Sequence, residues 1–406
     1  MVTLGDVADV SAGNPAPQEP GDFAPDGPPF VRMKDVGREH HSKSLAVTTD
    51  KLAPDSARRY RLRLYPSGTL LIPKSGASVN LNHRALLGVD AYVVSHLATV
   101  VPDTRIIDPE FLYYWSLTYD PRHQAQTTSL PSLPTSLIKA AALPLPEIDE
   151  QRRIIDLLSR AEGIVRLRRE AQKKAAEIIP ALFVEMFGDP ATNPKGWPTA
   201  PLSTVAEVIS GVAKGRKLSP EESIELPYMR VANVKDGHLD LREVKRIAIK
   251  RTEADRLLIL PGDLLMTEGG DPDKLGRAAL WRGEIEGCVH QNHIFKVRSD
   301  RDCLVPVYLR SLAGSGYGKA YFLSVAKKTT GIASINKTQL SAFPVVLPPL
   351  EAQVEFGDRI ASLEAIASQQ IAAISKAEEV FVALLARAFA VAERPSAQTE
   401  AMEACA

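Results

Sequence analysis

Two pairs of residues have types and spacing that could do bond chemistry. Asp263 and Glu268 resemble the start of a metal-binding carboxylate set of the nuclease kind. A glycine pair follows Glu268, however, and no lysine stands two residues on, so the stretch reads as a turn. His290 and His293 could share a metal on a helix, but they fall on a strand-like run. They read as polar surface histidines. The stretch Glu268-Gly-Gly-Asp-Pro-Asp-Lys-Leu-Gly-Arg277 fits an anion nest and a succession of turns equally well. Cys288, Cys303 and Cys405 make neither a disulfide framework nor a CxxC or Cys/His zinc spacing, which points to a reducing compartment. Asn-Pro-Pro-aromatic, GxGxxG and GxxxxGK[ST] segments are absent, which removes the usual base-methylating site and the standard nucleotide cradles. No catalytic residue, bound metal or cofactor is expected in this chain.

The elements around these residues occur twice. Leu4-Gly-Asp-Val-Ala-Asp-Val-Ser-Ala-Gly13 matches Leu202-Ser-Thr-Val-Ala-Glu-Val-Ile-Ser-Gly211, and Pro29-Phe-Val-Arg-Met-Lys-Asp-Val36 matches Pro227-Tyr-Met-Arg-Val-Ala-Asn-Val234. Gly68-Thr-Leu-Leu-Ile matches Gly262-Asp-Leu-Leu-Met, and Leu145-Pro-Glu-Ile-Asp-Glu-Gln151 matches Leu347-Pro-Pro-Leu-Glu-Ala-Gln353. Near-constant offsets indicate a duplicated unit with small loop insertions. Within each copy, residues 1–144 and 197–346 hold short β-type runs: Thr69–Ile72, Ala91–Val94, Leu97–Val101, Leu257–Leu260 and His293–Val297. Helical stretches are expected at Pro109–Leu117 and Val307–Leu312.

Each copy then closes on a long helix. Ile154, Leu158, Val165, Ile179 and Leu182 follow a 3,4 apolar spacing in the first, and Phe356, Ile360, Leu363, Ile374, Phe381 and Leu384 follow it in the second. This is a coiled-coil seam, and each helix can supply the other's partner. Arg168, Gln172 and Gln370 interrupt it, either to fix register or as local packing defects, and Pro180 should bend the first helix near its end. Phe187-Gly-Asp-Pro190 stops that helix. The expected boundaries are a domain at 1–144, a helix at 145–188, a linker at 189–196, a second domain at 197–346, a second helix at 347–391 and a disordered tail at 392–406.

With 406 residues, 45% hydrophobic and 24% charged, the chain reads as an ordinary globular α+β protein of two or three domains. Its 49 basic and 49 acidic residues cancel, but residues 195–346 carry 23 basic against 17 acidic, compatible with a phosphate-facing surface or with chance imbalance. MVTLGDVADV lacks the features of a signal peptide and no apolar run approaches a membrane span, so a cytoplasmic location is expected.

The paired closings Leu145-Pro-Glu-Ile-Asp-Glu-Gln-Arg-Arg-Ile154 and Leu347-Pro-Pro-Leu-Glu-Ala-Gln353, with the linker Met186-Phe-Gly-Asp-Pro-Ala-Thr-Asn-Pro-Lys-Gly-Trp197, resemble the DNA-specificity subunit of type I restriction-modification systems. The resemblance covers residues 1 to about 391. It implies two target-recognition domains, each reading half of a split double-stranded DNA site, and two long helices packed antiparallel as a spacer with a pseudo-twofold internal repeat. It also implies a non-catalytic subunit. Its partners would be two methylation subunits and nuclease/translocase subunits, which would use S-adenosylmethionine, ATP and Mg. The chain departs from the family in two places. The first repeat opens at Met1 without the Gly-Trp that leads the second, so a shortened N-terminus is expected, and Val354-Glu-Phe stands where a basic residue usually follows Gln353. A scaffold binding proteins or glycans, or the recognition subunit of another modification-based phage-defence system, is the alternative.

Base edges are read by bidentate Arg on guanine and Asn or Gln on adenine, while Lys and hydroxyls mostly hold phosphate. Candidates in the first domain are Arg32, Lys34, Lys74, Ser75, Asn80, Asn82, His83, Arg84, Gln124, Gln126, Thr127 and Thr128. In the second they are Arg230, Asn233, Lys235, Lys274, Arg277, His290, Gln291, Asn292, Lys327, Lys328, Thr329 and Thr330. Arg32 and Arg230 are paired by the repeat, which favours a structural or phosphate role for both over base reading. The basic run Arg166–Lys174 is either a solvated helix face or a contact for phosphate or partner subunits.

Overall fold

Leu70–Pro73 is apolar along its length because both of its faces are covered. A computed structural model describes residues 1–39, 43–120, 131–215, 218–271, 274–329 and 331–390, and they divide into two units. Residues 121–130, 330 and 391–406, which hold the expected tail and five of the candidates, lie outside the described residues.

The first unit comprises residues 1–169 and the chain from 373 onward. Its five-stranded sheet runs in the order Ala8–Ala12, Leu97–Pro102, Leu70–Pro73, Ala85–Leu87, Ser44–Leu45, antiparallel except at the last edge. Val100 faces Val10 on one side and Leu70 on the other. Alternation splits the sheet's side chains between two cores. Leu70, Ile72, Ala98 and Val100 meet Phe111 and Leu112 of the helix Pro109–Thr118, whereas Leu71, Leu87 and Leu97 meet a four-stranded sheet built on Pro29–Val31 and Ala91–Val93. The helix Pro109–Thr118 starts with Pro at its first position and Asp108 as N-cap, whose carboxylate accepts from Glu110 N at 2.8 Å.

The second unit, residues 170–372, has a four-stranded antiparallel sheet in the order Ala206–Ser210, Ile294–Ser299, Leu264–Thr267, Ala278–Leu280. Leu264, Met266 and Val297 pack on one core with Tyr308, Leu309 and Leu312 of the helix Pro306–Gly314, while Leu265, Ala279 and Trp281 line another. One expected strand is not formed. Leu257 ends a short helix and Leu258–Leu260 is irregular, because the Arg256 and Leu258 carbonyls are taken by Lys296 Nζ, each at 2.7 Å, instead of by a strand partner.

The long helices run Ile148–Phe187 and Leu350–Phe389, the first continuing through Pro180. In the first unit Ile154 and Leu158 pack with Phe381, Leu384, Leu385 and Phe389 in the same core as Phe111. In the second, Ile179, Leu182, Phe183 and Phe187 pack with Phe356, Ile360 and Leu363. Phe187 lies 4.9 Å from the Tyr308 ring and 5.3 Å from the Phe356 ring. Phe183, Phe187, Leu385 and Phe389 were not on the expected seam: near its C-terminal end each helix covers a second face against the globular part. Arg169 of the basic run pairs with Glu378 in an exposed salt bridge, worth under about 1 kcal/mol.

Glu162 sits where the first helix meets the globular part, its carboxylate accepting from Tyr114 Oη at 2.9 Å. Burial raises its carboxyl above the ordinary 4.5, partly offset by the Tyr114 bond and Lys43. The folded state therefore holds this proton more tightly than the unfolded chain, and stability falls as pH rises from about 4.5 through the folded value. Glu162→Gln keeps an acceptor for Tyr114 and removes the charge. It should melt above the parent at pH 8 and level with it near pH 4; a constant difference across that range would refute the assignment.

Candidate nucleic-acid interface

The frame that presents candidate side chains is set by a close approach. Gly13 and Gly211 pass so near a neighbouring strand that a Cβ would come within 2.3 Å of the Val94 carbonyl oxygen and 2.1 Å of the His290 carbonyl oxygen respectively. In the first unit Ser95 N then donates to Asn14 O at 2.7 Å, and Leu97 N to Val94 O at 3.0 Å, closing a turn around His96. In the second, Asn292 N donates to Val212 O at 2.9 Å and Ile294 N to Gln291 O at 2.9 Å, closing a turn around His293. Both histidines are exposed.

Each turn grips the end of a central strand. Lys74 N donates to His96 O at 3.0 Å, and Lys74 O accepts from Leu133 N at 2.8 Å. Glu268 N donates to His293 O at 3.0 Å, and Glu268 O accepts from Ile335 N at 2.8 Å. The side chains above these backbones differ. His96 Nδ1 lies 2.7 Å from Ser75 Oγ, whereas His293 Nδ1 lies 2.5 Å from Glu268 Oε2. Beyond Glu268, Gly269 and Gly270 pair with Ser334 and Ala333, which seats the hairpin Lys327–Thr329/Ile332–Ser334 beside it. Lys327, Lys328 and Thr329 are exposed there. The second unit thus gathers Glu268, Gln291, Asn292, His293 and a basic hairpin at one sheet end. In the first, Lys74 and Ser75 lie beside His96, and Asn80 is exposed on the single 3-10 turn Ala77–Leu81 that follows.

Three candidates are corrected. Arg84 is buried, its guanidinium donating to Asn82 Oδ1, His83 O and Tyr119 O, and burial lowers it to about 10. Asn233 is buried, accepting from Arg230 N and donating to Asp240 O and Glu243 O. His290 is buried beside the Ile294 carbonyl, and burial lowers it to about 4, so it is neutral in ordinary buffers. All three side chains are turned into the interior. Arg32 pairs with Asp50, which Lys34 also approaches at 3.7 Å, and stacks on Phe23 and Phe30; Arg230 pairs with Glu243 at 3.2 Å. Lys274 pairs with Asp271, Asn82 holds a left-handed φ of 51° below Arg84, His83 and Arg277 are half-buried, and Lys235 lies in the turn to His238. Gln124, Gln126, Thr127, Thr128 and Thr330 fall outside the described residues.

His96 was not weighed in the sequence, and Glu268 and His293, weighed there only for metal or nuclease chemistry, were left off the DNA-contact candidates. One signal could have found them: the repeat offset aligns Val93-Val-Ser-His96 with His290-Gln-Asn-His293. Asp263, the other carboxylate considered for chemistry, is buried against Arg298. Among the described residues no cluster of three or more His, Cys, Asp or Glu could hold a metal ion. Among the same residues no helix is long and apolar enough to cross a membrane.

Residues 1–177 match the family model described as the type I restriction modification DNA specificity domain. Over that stretch the chain is similar to type I DNA specificity domains. Its relatives include the putative MjaX specificity subunit of Methanocaldococcus jannaschii, 26% identical over 192 residues, which are 46% of this chain and 44% of that one. They also include the StySPI specificity subunit of Salmonella potsdam, 25% identical over 202 residues, 48% of this chain and 42% of that one. The EcoKI specificity subunit of Escherichia coli K12 is 24% identical over 189 residues, 45% of this chain and 40% of that one. The matched stretch spans less than half of each of these specificity subunits. The fold extends further: a chain of a solved type I R-M system superposes with a TM-score of 0.59 at 19% identity, covering 95% of this chain and 96% of that chain. The S subunit from M. genitalium superposes with a TM-score of 0.50 at 14% identity, covering 96% and 95%. The likeness to specificity subunits expected from the paired closings is thus borne out.

Proposed function

We propose that this chain reads a bipartite double-stranded DNA target, one half with each globular part, and scaffolds the methylation and nuclease/translocase subunits of a cytoplasmic type I restriction-modification complex. The single observation that carries the reading is the repeated frame: equivalent glycine approaches, histidine turns and strand-end hydrogen bonds occur in both units while the side chains they present differ. Two copies of one scaffold with different readers are what recognition of two unlike half-sites requires.

The proposed division keeps recognition domains at 1–144 and 197–346 and a linker at 189–196, with the long helices at Ile148–Phe187 and Leu350–Phe389. The helices form an antiparallel coiled-coil spacer; in support, early residues of each pack with late residues of the other within each unit. The chain itself binds no cofactor, and S-adenosylmethionine, ATP and Mg belong to the partner subunits. Exposed Asn80, Lys327, Lys328 and Thr329, with half-buried Gln291 and Asn292, contact DNA.

The test is a methylome comparison of cells with and without this chain and its partners. One bipartite methylated motif should be lost, and replacing residues 1–144 with another such domain should change only one half of it. A change in both halves, or in neither, would refute the modular reading.

A further inference from the structure

We propose that Lys74 and Glu268 are specificity-determining residues at one shared reading position, Lys74 selecting guanine in one half-site and Glu268 a base bearing an exocyclic amino group, cytosine foremost, in the other. The proposal rests on the DNA-reading function above and assigns the contacts within it.

The two residues hold the same place in the backbone network of their own units. Each follows the last residues of a central strand, donates its N–H to the carbonyl of the histidine at the tip of a glycine-closed turn, and accepts at its carbonyl from an apolar residue arriving from downstream. The bonds to histidine are 3.0 Å in both cases and the bonds from Leu133 and Ile335 are 2.8 Å in both. So closely matched a frame is structural and carries no sequence information. Discrimination must come from what differs on it, and here the difference is a change of charge sign and of hydrogen-bonding sense.

An ammonium offers donors alone, and an ionised carboxylate offers acceptors alone. In the major groove guanine presents the acceptors N7 and O6, while cytosine presents the N4 amino donor, the partner for Glu or Asp. Lys74 would suit a phosphate as well as a base. Glu268 would not: a carboxylate facing the backbone phosphates is repelled, so one next to the Gly269–Gly270 strand, which Ile332–Ser334 joins to exposed Lys327 and Lys328, belongs over base edges. The contact between His293 Nδ1 and Glu268 Oε2 orients the carboxylate and leaves its second oxygen for a ligand. With the same node occupied by Glu in one unit, base reading is the role assigned to it in both.

The experiment is selection from a random double-stranded DNA library by the full chain, parent and variants. The parent should enrich a two-part motif. Lys74→Gln should lose about tenfold to a hundredfold of guanine preference at one position of one half, and Glu268→Gln a comparable preference at one position of the other half. Glu268→Lys should turn that position toward guanine. The untouched half is the internal control for folding. Variant motifs identical to the parent's, a uniform loss of affinity with unchanged preference, or loss of both halves would each overturn the proposal. A parent that enriches no sequence would instead refute the DNA-reading function, and this assignment with it.

Discussion

Gln353→Glu should destabilise the second unit by about 3–5 kcal/mol, although it changes hardly any volume. Gln353 is fully buried at the start of the second long helix. Its Oε1 accepts from Val305 N at 3.0 Å, and its Nε2 donates to Cys303 O at 3.1 Å and Pro348 O at 2.9 Å. A carboxylate still accepts from Val305 but has no proton for either carbonyl and faces both as a buried charge. Gln151 makes the same three kinds of bond in the first unit, to Asp108 N at 2.9 Å, Ile106 O at 3.0 Å and Pro146 O at 2.9 Å. Both glutamines bind the cap residue of the adjacent globular helix, so each ties a long helix to the domain before it. Thermal unfolding followed by circular dichroism should show the affected transition falling by roughly 10 °C for either variant. A shift of a degree or two would mean that these bonds are not what holds the helix starts in place.

Asp263→Ala should be comparably damaging, again by about 3–5 kcal/mol, and this separates a structural carboxylate from a catalytic one. Arg298 binds Asp263 with two parallel bonds of 2.7 Å, and Leu260 N adds a third of 2.7 Å that closes the turn through Pro261 and Gly262. Gly262 has a φ of +99°, and a Cβ there would meet the Arg301 guanidinium. Removing the carboxylate strands the partly buried Arg298 guanidinium and leaves Leu260 N without its acceptor. Chemical denaturation should show a lower midpoint for Asp263→Ala and an intermediate one for Asp263→Asn, which retains one acceptor for Arg298. A parent-like midpoint would refute the structural role.

How much of this was legible depended on distance along the chain. The seam residues from Ile154 to Leu384 could be read from spacing because a helix repeats every few residues and the apolar side must be covered. Phe183 and Phe389 broke that pattern, since each helix end answers to Tyr308 or Phe111 as well as to the other helix. Polar residues were harder. Lys74, Asn233 and His290 all look like ligands for phosphate or base in a one-dimensional string. Two of the three are internal struts, and nothing within five residues of Asn233 reports that its amide will cap carbonyls at 240 and 243.

The amino-acid order by itself displayed the likeness between the chain's two halves and where its long helices run, because periodicity and internal likeness are local properties that every short window displays. Only the tertiary structure decided which histidine is buried and which exposed, that Asp263 is a strut, and that Lys74 and Glu268 share a position. Those outcomes depend on partners some 20 to 70 residues away, His96 and Leu133 for Lys74, His293 and Ile335 for Glu268, and a polar group's energy is set by whether such a partner arrives.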